Sequence, residues 1–237
     1  LIEHQGARIL IDCGLLQGYK NLRLMNWEPF PFDPARLDAV ILTHAHLDHS
    51  GALPLLVRNG FKGSIHASPS TIALCGLLLP DSGHLQEEDA NFANRHKSSR
   101  HDPALPLYTE EDARHALRHL RPLEFDHAID IAGLKVRLRP AGHILGAASV
   151  ELRTARGSLL FSGDIGRPDD LLMKPPAAIE MGDTLVVEST YGDRSHGNED
   201  SATLLADVIA RTAARGGKVV IPAFAVGRAQ SLLYQIH

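Results

Sequence analysis

The sequence predicts a layered α/β fold, and two observations carry that prediction. Short apolar runs of strand length recur along the chain, and segments of helical periodicity fall between them. The chain has 237 residues, 44% hydrophobic and 22% charged, enough to bury the core of one large domain, or of one domain and part of another.

The elements follow in chain order. Residues 8–14 (RILIDCG) form an apolar run that stops at an acid and a glycine, and residues 37–43 (LDAVILT) form a second. Residues 51–59 carry helical periodicity, 63–67 read as a strand, and 70–79 as a helix opened by Ser68-Pro69. The polar, histidine-rich stretch 81–103 is expected to be a surface helix plus loop. Thr109 with Asp112 resembles a capping box, opening a helix to about Leu120. Strands are expected at 134–139, 148–153, 158–161 and 184–188. Ser201 is expected to cap a helix with the apolar face Leu204, Leu205, Val208, Ile209 and Thr212, stopped by Gly216-Gly217. A strand at 218–222 then leads into a last helix from Arg228. Residues 192–200, polar and with two glycines, are the best linker.

Composition narrows the function. No apolar run approaches the ~20 residues needed to cross a bilayer, and Ile72 to Pro80 is interrupted by Cys75-Gly76. No signal-peptide pattern is visible. Two cysteines, Cys13 and Cys75, argue against a disulfide framework and for a reducing compartment, the cytoplasm. Both read as small buried hydrophobes. A net charge of −4 and a pI near 6.4 speak against a protein that holds nucleic acid through phosphate contacts alone. Fourteen histidines stand out, because histidine is the commonest metal ligand.

Six residues, His44 to His49, contain four ligand-type side chains at the end of a buried strand. His44 and His46, at i and i+2 of an extended segment, point the same way. Asp48 and His49 lie on the following turn, where they can serve a second ion. Zinc takes four ligands in closed sites and leaves a position for water in catalytic ones, so other strand ends have to contribute. His143, after the strand ending near Arg139, and Asp164, after the one ending near Phe161, are the candidates. His115 and His119 lie four apart on a helix. Ala116 stands where a helical zinc site would place its glutamate, so they read as surface histidines.

This set resembles the metallo-β-lactamase fold, an αββα sandwich with metals at its edge. The resemblance implies one zinc on His44, His46 and His143, a second on Asp48 and His49, and Asp164 bridging the two ions. Asp12 matches an aspartate that orients the ligand loop rather than binding metal. Residues 186–194 (VVESTYGDR), 217–230 (GKVVIPAFAVGRAQ) and 140–146 (PAGHILG) further resemble the β-CASP branch of RNA-processing nucleases. That branch implies a catalytic domain over 1–192 and the start of an inserted α/β cap over 193–237. It also implies cleavage of RNA, or single-stranded DNA, by a metal-activated hydroxide, with Asp48 and Glu188 as catalytic carboxylates. Arg194, His196 and Arg228 are candidates for phosphate contact. The branch's later histidines have no match here, so the chain is expected to be a fragment that is weak or inactive alone. Assembly into a homo-oligomer stays open. Two rival readings also remain: a two-metal hydrolase of a thioester or small phosphodiester, and a non-catalytic RNA-processing scaffold.

Overall fold

The computed structural model describes residues 1–180, 182–195 and 200–236. Its first sheet has the order β1 (Ile2–His4), β2 (Ala7–Ile11), β3 (Ala39–Ile41), β4 (Ser64–Ala67), β5 (Leu120–Pro122). A Gln5-Gly6 turn closes the antiparallel β1–β2 hairpin, and the remaining neighbours pair in parallel. The second sheet is an antiparallel meander of β6 (Ala128–Ile131), β7 (Leu134–Pro140), β8 (Ala148–Thr154) and β9 (Gly157–Phe161). A parallel edge strand, β10 (Thr184–Val186), completes it. The helices are α1 (Lys20–Met25), α2 (Leu47–Ser50), α3 (Leu53–Arg58), α4 (Pro69–His96), α5 (Glu110–Leu117), α6 (Ser201–Ala214) and α7 (Arg228–Ile236).

The sequence pattern explains the layering. β2 and β3 are apolar on both sides because both faces are covered. Leu10 and Val40 pack with Leu53, Leu56, Leu79 and Tyr108 beneath the helices. Ile9 and Ile41 turn the other way, onto the second sheet. β7 alternates, with Leu134, Val136 and Leu138 inward and Lys135, Arg137 and Arg139 outward. Val150 and Leu152 of β8 complete the core between the sheets. Each such buried side chain contributes about 1.5–3 kcal/mol over its exposed state. The layered α/β sandwich is therefore the observed architecture.

Four expectations need correction. The helix beginning at Pro69 does not stop at Leu79 but runs through Pro80 to His96. An interior proline removes a hydrogen bond and costs about 3 kcal/mol. Burial of Leu79 and Pro80, and the Tyr108 hydroxyl donating to Ser82 at 2.8 Å one turn further on, offset it. The cap of α6 is Asp200, not Ser201: its carboxylate accepts Ala202 N at 3.1 Å and the Thr203 hydroxyl at 2.6 Å. Residues 218–222 form no strand: among the described residues no ladder partner pairs with them, and Val220 is 89% exposed. Finally, β1, β5, β6 and α1 were not foreseen, being too short to show a period.

Candidate metal centre

Both sheets end at the same edge, and the ligand loops leave from there. β3 delivers Thr43 and His44, α2 carries Asp48 and His49, β7 leads into the turn bearing His143, and β9 into the turn bearing Asp164. Ala148 N donates to Thr43 O at 2.9 Å, which ties the second sheet to the first ligand loop.

Four ligand atoms converge, from His44, His46, His143 and Asp164, all within 4.8 Å of one another. His46 Nδ1 lies 3.2 Å from His44 Nε2 and 3.1 Å from His143 Nε2. Asp164 Oδ2 lies 3.5 Å from His143 Nε2 and 3.8 Å from His44 Nε2. Donors placed 2.0–2.1 Å from a tetrahedral zinc sit about 3.4 Å apart, so the spacing fits that ion. The other oxygen of Asp164, Oδ1, lies 3.3 Å from His49 Nε2, which is also 3.8 Å from Asp48 Oδ2. Asp164 thus faces His44 and His143 with one oxygen and His49 with the other. Asp48 stands outside the four-atom cluster, its side chain 53% exposed.

Asp12 anchors the loop. Its Oδ1 accepts Thr43 N at 2.7 Å, while Oδ2 accepts the Thr43 hydroxyl at 2.8 Å and His49 Nδ1–H at 2.7 Å. That last bond leaves His49 Nε2 to face Asp164. Asp12 adopts φ 57°, a left-handed conformation that few residues accept without strain.

Charge follows burial. Burial, then the neighbouring His49 charge, pushes His44 down to about 2. Burial lowers His143 also, against the pull of Asp164. Burial would lower His49 too, but its hydrogen bonds to Asp12 and Asp164 win and hold it up to about 10. The hydrogen bond from His49 brings Asp164 down to about 2, although burial opposes this. In the metal-free site a proton on His49 Nε2 therefore supplies positive charge beside Asp164. Burial, then the Asp12 charge, raises the Cys13 thiol to about 12, leaving it protonated and inert.

This pair sets a pH dependence. Asp164 stabilises the fold fully above its ordinary value of 3.8 and loses that contribution as pH falls toward 2. His49 stabilises it fully below its ordinary 6.5 and loses that contribution as pH rises toward 10. His44 and His143, whose values burial lowers, act the other way and cost stability as pH falls below 6.5. Metal-free protein should therefore melt highest near about pH 6.5 and lose on the order of 2 kcal/mol by about pH 9, allowing for solvent screening. With metal bound in place of the His49 proton, the alkaline loss should shrink. Thermal unfolding of chelated and metal-loaded samples at about pH 5, 7 and 9 reads this. Equal stability of the chelated protein at all three would contradict the assignment.

Glu188 lies at the edge of the site. Burial tends to raise it, but Ile165 N–H on Oε1 at 2.9 Å and Thr190 N–H on Oε2 at 3.2 Å hold it below the ordinary carboxylate value. Ile165 directly follows Asp164, so Glu188 fixes that turn, a role not read from the sequence. Arg194 is 70% exposed and 3.7 Å from Asp193, and Arg228 is exposed at the start of α7. Among the described residues neither makes a hydrogen bond or ion pair with the cluster, and His196 lies outside the described residues. His119 Nδ1 donates to Gly63 O at 2.9 Å, and His115 packs edge-on against it, away from the metal cluster. Among the described residues no helix is long and apolar enough to cross a membrane.

A family model described as the metallo-beta-lactamase superfamily matches residues 1–213. The chain belongs to that superfamily. It is 37% identical over 98% of its length to Ribonuclease TTHA0252 of Thermus thermophilus, covering 50% of that protein. It is 34% identical to Transcription termination factor FttA of Methanocaldococcus jannaschii, covering 98% of this chain and 36% of the relative. It is 32% identical to Cleavage and polyadenylation specificity factor subunit 3-I of Arabidopsis thaliana, covering 98% and 32%. The chain thus spans about half the length of the first relative and about a third of the other two. The resemblance to the β-CASP branch of this metallo-β-lactamase superfamily holds.

Proposed function

We propose that this metallo-β-lactamase chain carries the two-zinc site of a ribonuclease that hydrolyses phosphodiester bonds in RNA, or in single-stranded DNA. The observation that carries the reading is Asp164, whose two oxygens face two separate ligand groups. Three ring nitrogens beside one carboxylate suit zinc better than a hard, oxygen-seeking ion. In this reading His44, His46 and His143 hold the first ion, Asp48 and His49 the second, and Asp164 both. Bound zinc supplies a Lewis acid toward phosphoryl oxygens and lowers the pKa of its water toward about 7.

The chain's residues do the rest. Asp12 fixes His49, and Asp48, exposed at the mouth, can also take part in proton handling there. Glu188 is ionised at neutral pH, so it serves as a proton acceptor or as the partner of a cationic group. We assign residues 1–192 to the catalytic domain and 193–237 to the start of a cap. The open apolar sides of α6 (Leu204, Val208) and α7 (Leu233, Ile236) support a further covering layer. Arg194 and Arg228 are the phosphate contacts proposed on that side. The two free buried cysteines support a cytoplasmic setting.

The test is cleavage of labelled RNA, single-stranded DNA and a small phosphodiester by the intact protein, with chelator and after zinc is restored. RNA cleavage abolished by chelator and regained with zinc is expected. Hydrolysis of the small ester alone, or cleavage indifferent to chelator, would contradict the reading.

A further inference from the structure

A metal-binding histidine is normally steered by a partner on its other ring nitrogen. His44 Nδ1 has the Thr43 hydroxyl at 3.0 Å, and His49 Nδ1 has Asp12. For His143 the only hydrogen-bond contact among the described residues is through Nε2, which already faces the cluster. Its aim therefore depends on the turn that carries it. That turn spans residues 141–147, closed by Ala147 N on Ile144 O and Ala141 N on Ala147 O, both 2.9 Å.

Two carbonyls of the turn are held from outside: Ala141 O by Gly166 N at 2.8 Å, and Gly146 O by two side chains. Ser68 Oγ donates to Gly146 O at 2.7 Å, and Thr71 Oγ1 donates to the same oxygen at 2.9 Å. Both residues are fully buried at the start of α4, more than seventy positions away in sequence. Capping α4 needs only the Ser68 oxygen as acceptor for Thr71 N–H, at 3.2 Å. The cap requires neither hydroxyl proton: that of Thr71 goes to the His143 turn, and that of Ser68 is shared between the turn and Thr71 Oγ1, 3.0 Å away. Two rigid donors on one oxygen fix its position more tightly than one.

We propose that Ser68 and Thr71 are positioning residues for the first metal site, acting through the Gly146 carbonyl to aim His143. The proposal rests on His143 being a metal ligand. Thr71→Val keeps the shape and removes the hydroxyl, Thr71→Ser restores it, and His143→Ala gives the value for a site lacking that ligand. The intact chain is stripped and titrated with zinc against a competing chelator, and with cobalt(II) followed by its visible absorption. Thr71→Val should bind zinc at least about tenfold more weakly, with an altered cobalt spectrum, while Thr71→Ser returns both toward the parent. Native affinity and spectrum in Thr71→Val would overturn the positioning role and leave the metal site standing. If the parent and His143→Ala bind alike, the ligand assignment itself fails, and the proposal with it. Should Thr71→Val not fold, by circular dichroism, Thr71→Ser decides: native binding supports the hydroxyl's role, and a tenfold loss in the folded serine variant overturns it.

Discussion

Asp164→Ala is expected to cost the chain both proposed zinc ions, whereas Asp48→Ala should cost only the second. The asymmetry follows from where the oxygens point. Asp164 Oδ2 is 3.5 Å from His143 Nε2 and Oδ1 is 3.3 Å from His49 Nε2, so one substitution removes a ligand from each group. Among the described residues the Asp48 carboxylate pairs with His49 alone, at 3.8 Å, and it is absent from the His44, His46, His143 and Asp164 cluster. Asp164→Ala also strips His49 of the carboxylate on its Nε2, leaving the pair with Asp12 alone. Loss of metal assistance removes several kcal/mol of transition-state stabilisation, which at 1.36 kcal/mol per tenfold is about 10³ or more in rate. Elemental analysis should find less than one zinc per chain in Asp164→Ala and about one in Asp48→Ala. Equal zinc loss in the two variants would overturn the division of ligands.

The four residues that converge, His44, His46, His143 and Asp164, were legible in the sequence because strand ends announce themselves. An apolar run that stops at His44, or at Ser162-Gly163-Asp164, places a polar side chain at a sheet edge whatever the strand pairs with. Histidines at i and i+2 share a side by the geometry of the extended chain. The strands with clear alternation, such as β7, were legible for the same reason. What period cannot report is the partner. Residues 218–222 read as a strand by composition, but a strand exists only where another offers a ladder. Pro80 read as a stop because the opposing gain, burial of Leu79 and the Tyr108–Ser82 bond, comes from residues distant in sequence. Ser68 was visible only as a helix start and Thr71 not at all, since the acceptor of both hydroxyls lies at Gly146. Glu188 was singled out, but its grip on Ile165 was not, because that bond spans 23 positions.

Gly14→Ala and Gly166→Ala are expected to be the most damaging glycine-to-alanine changes among the described residues, each disabling a different half of the site. A Cβ on Gly14 would land on the Asp48 carbonyl and lie 2.6 Å from His49 N. The obstacle is backbone, so no side chain can swing aside. Gly14 sits between two rungs, Cys13 N to His49 O and Leu15 N to Leu47 O, both 2.8 Å, which press α2 against it. An alanine has to push α2 outward, breaking those bonds and drawing His49 from Asp12. Overpacking of this kind typically costs about 1–3 kcal/mol, and rigid backbone on both sides puts it at the upper end or beyond. At Gly166 the added Cβ would meet the Gly142 carbonyl and lie 2.7 Å from His143 N. There the displaced element is the His143 turn, so the first ion should suffer most. Gly14→Ala should instead spare the nitrogens of His46 and His143 and weaken the ion on Asp48 and His49. Stepwise zinc titration against a chelator separates the two patterns, and thermal unfolding of the stripped proteins measures the packing cost. Parent-like melting and full zinc content in both variants would show that these approaches are looser than the structure has them, and that the two turns do not set the metal geometry.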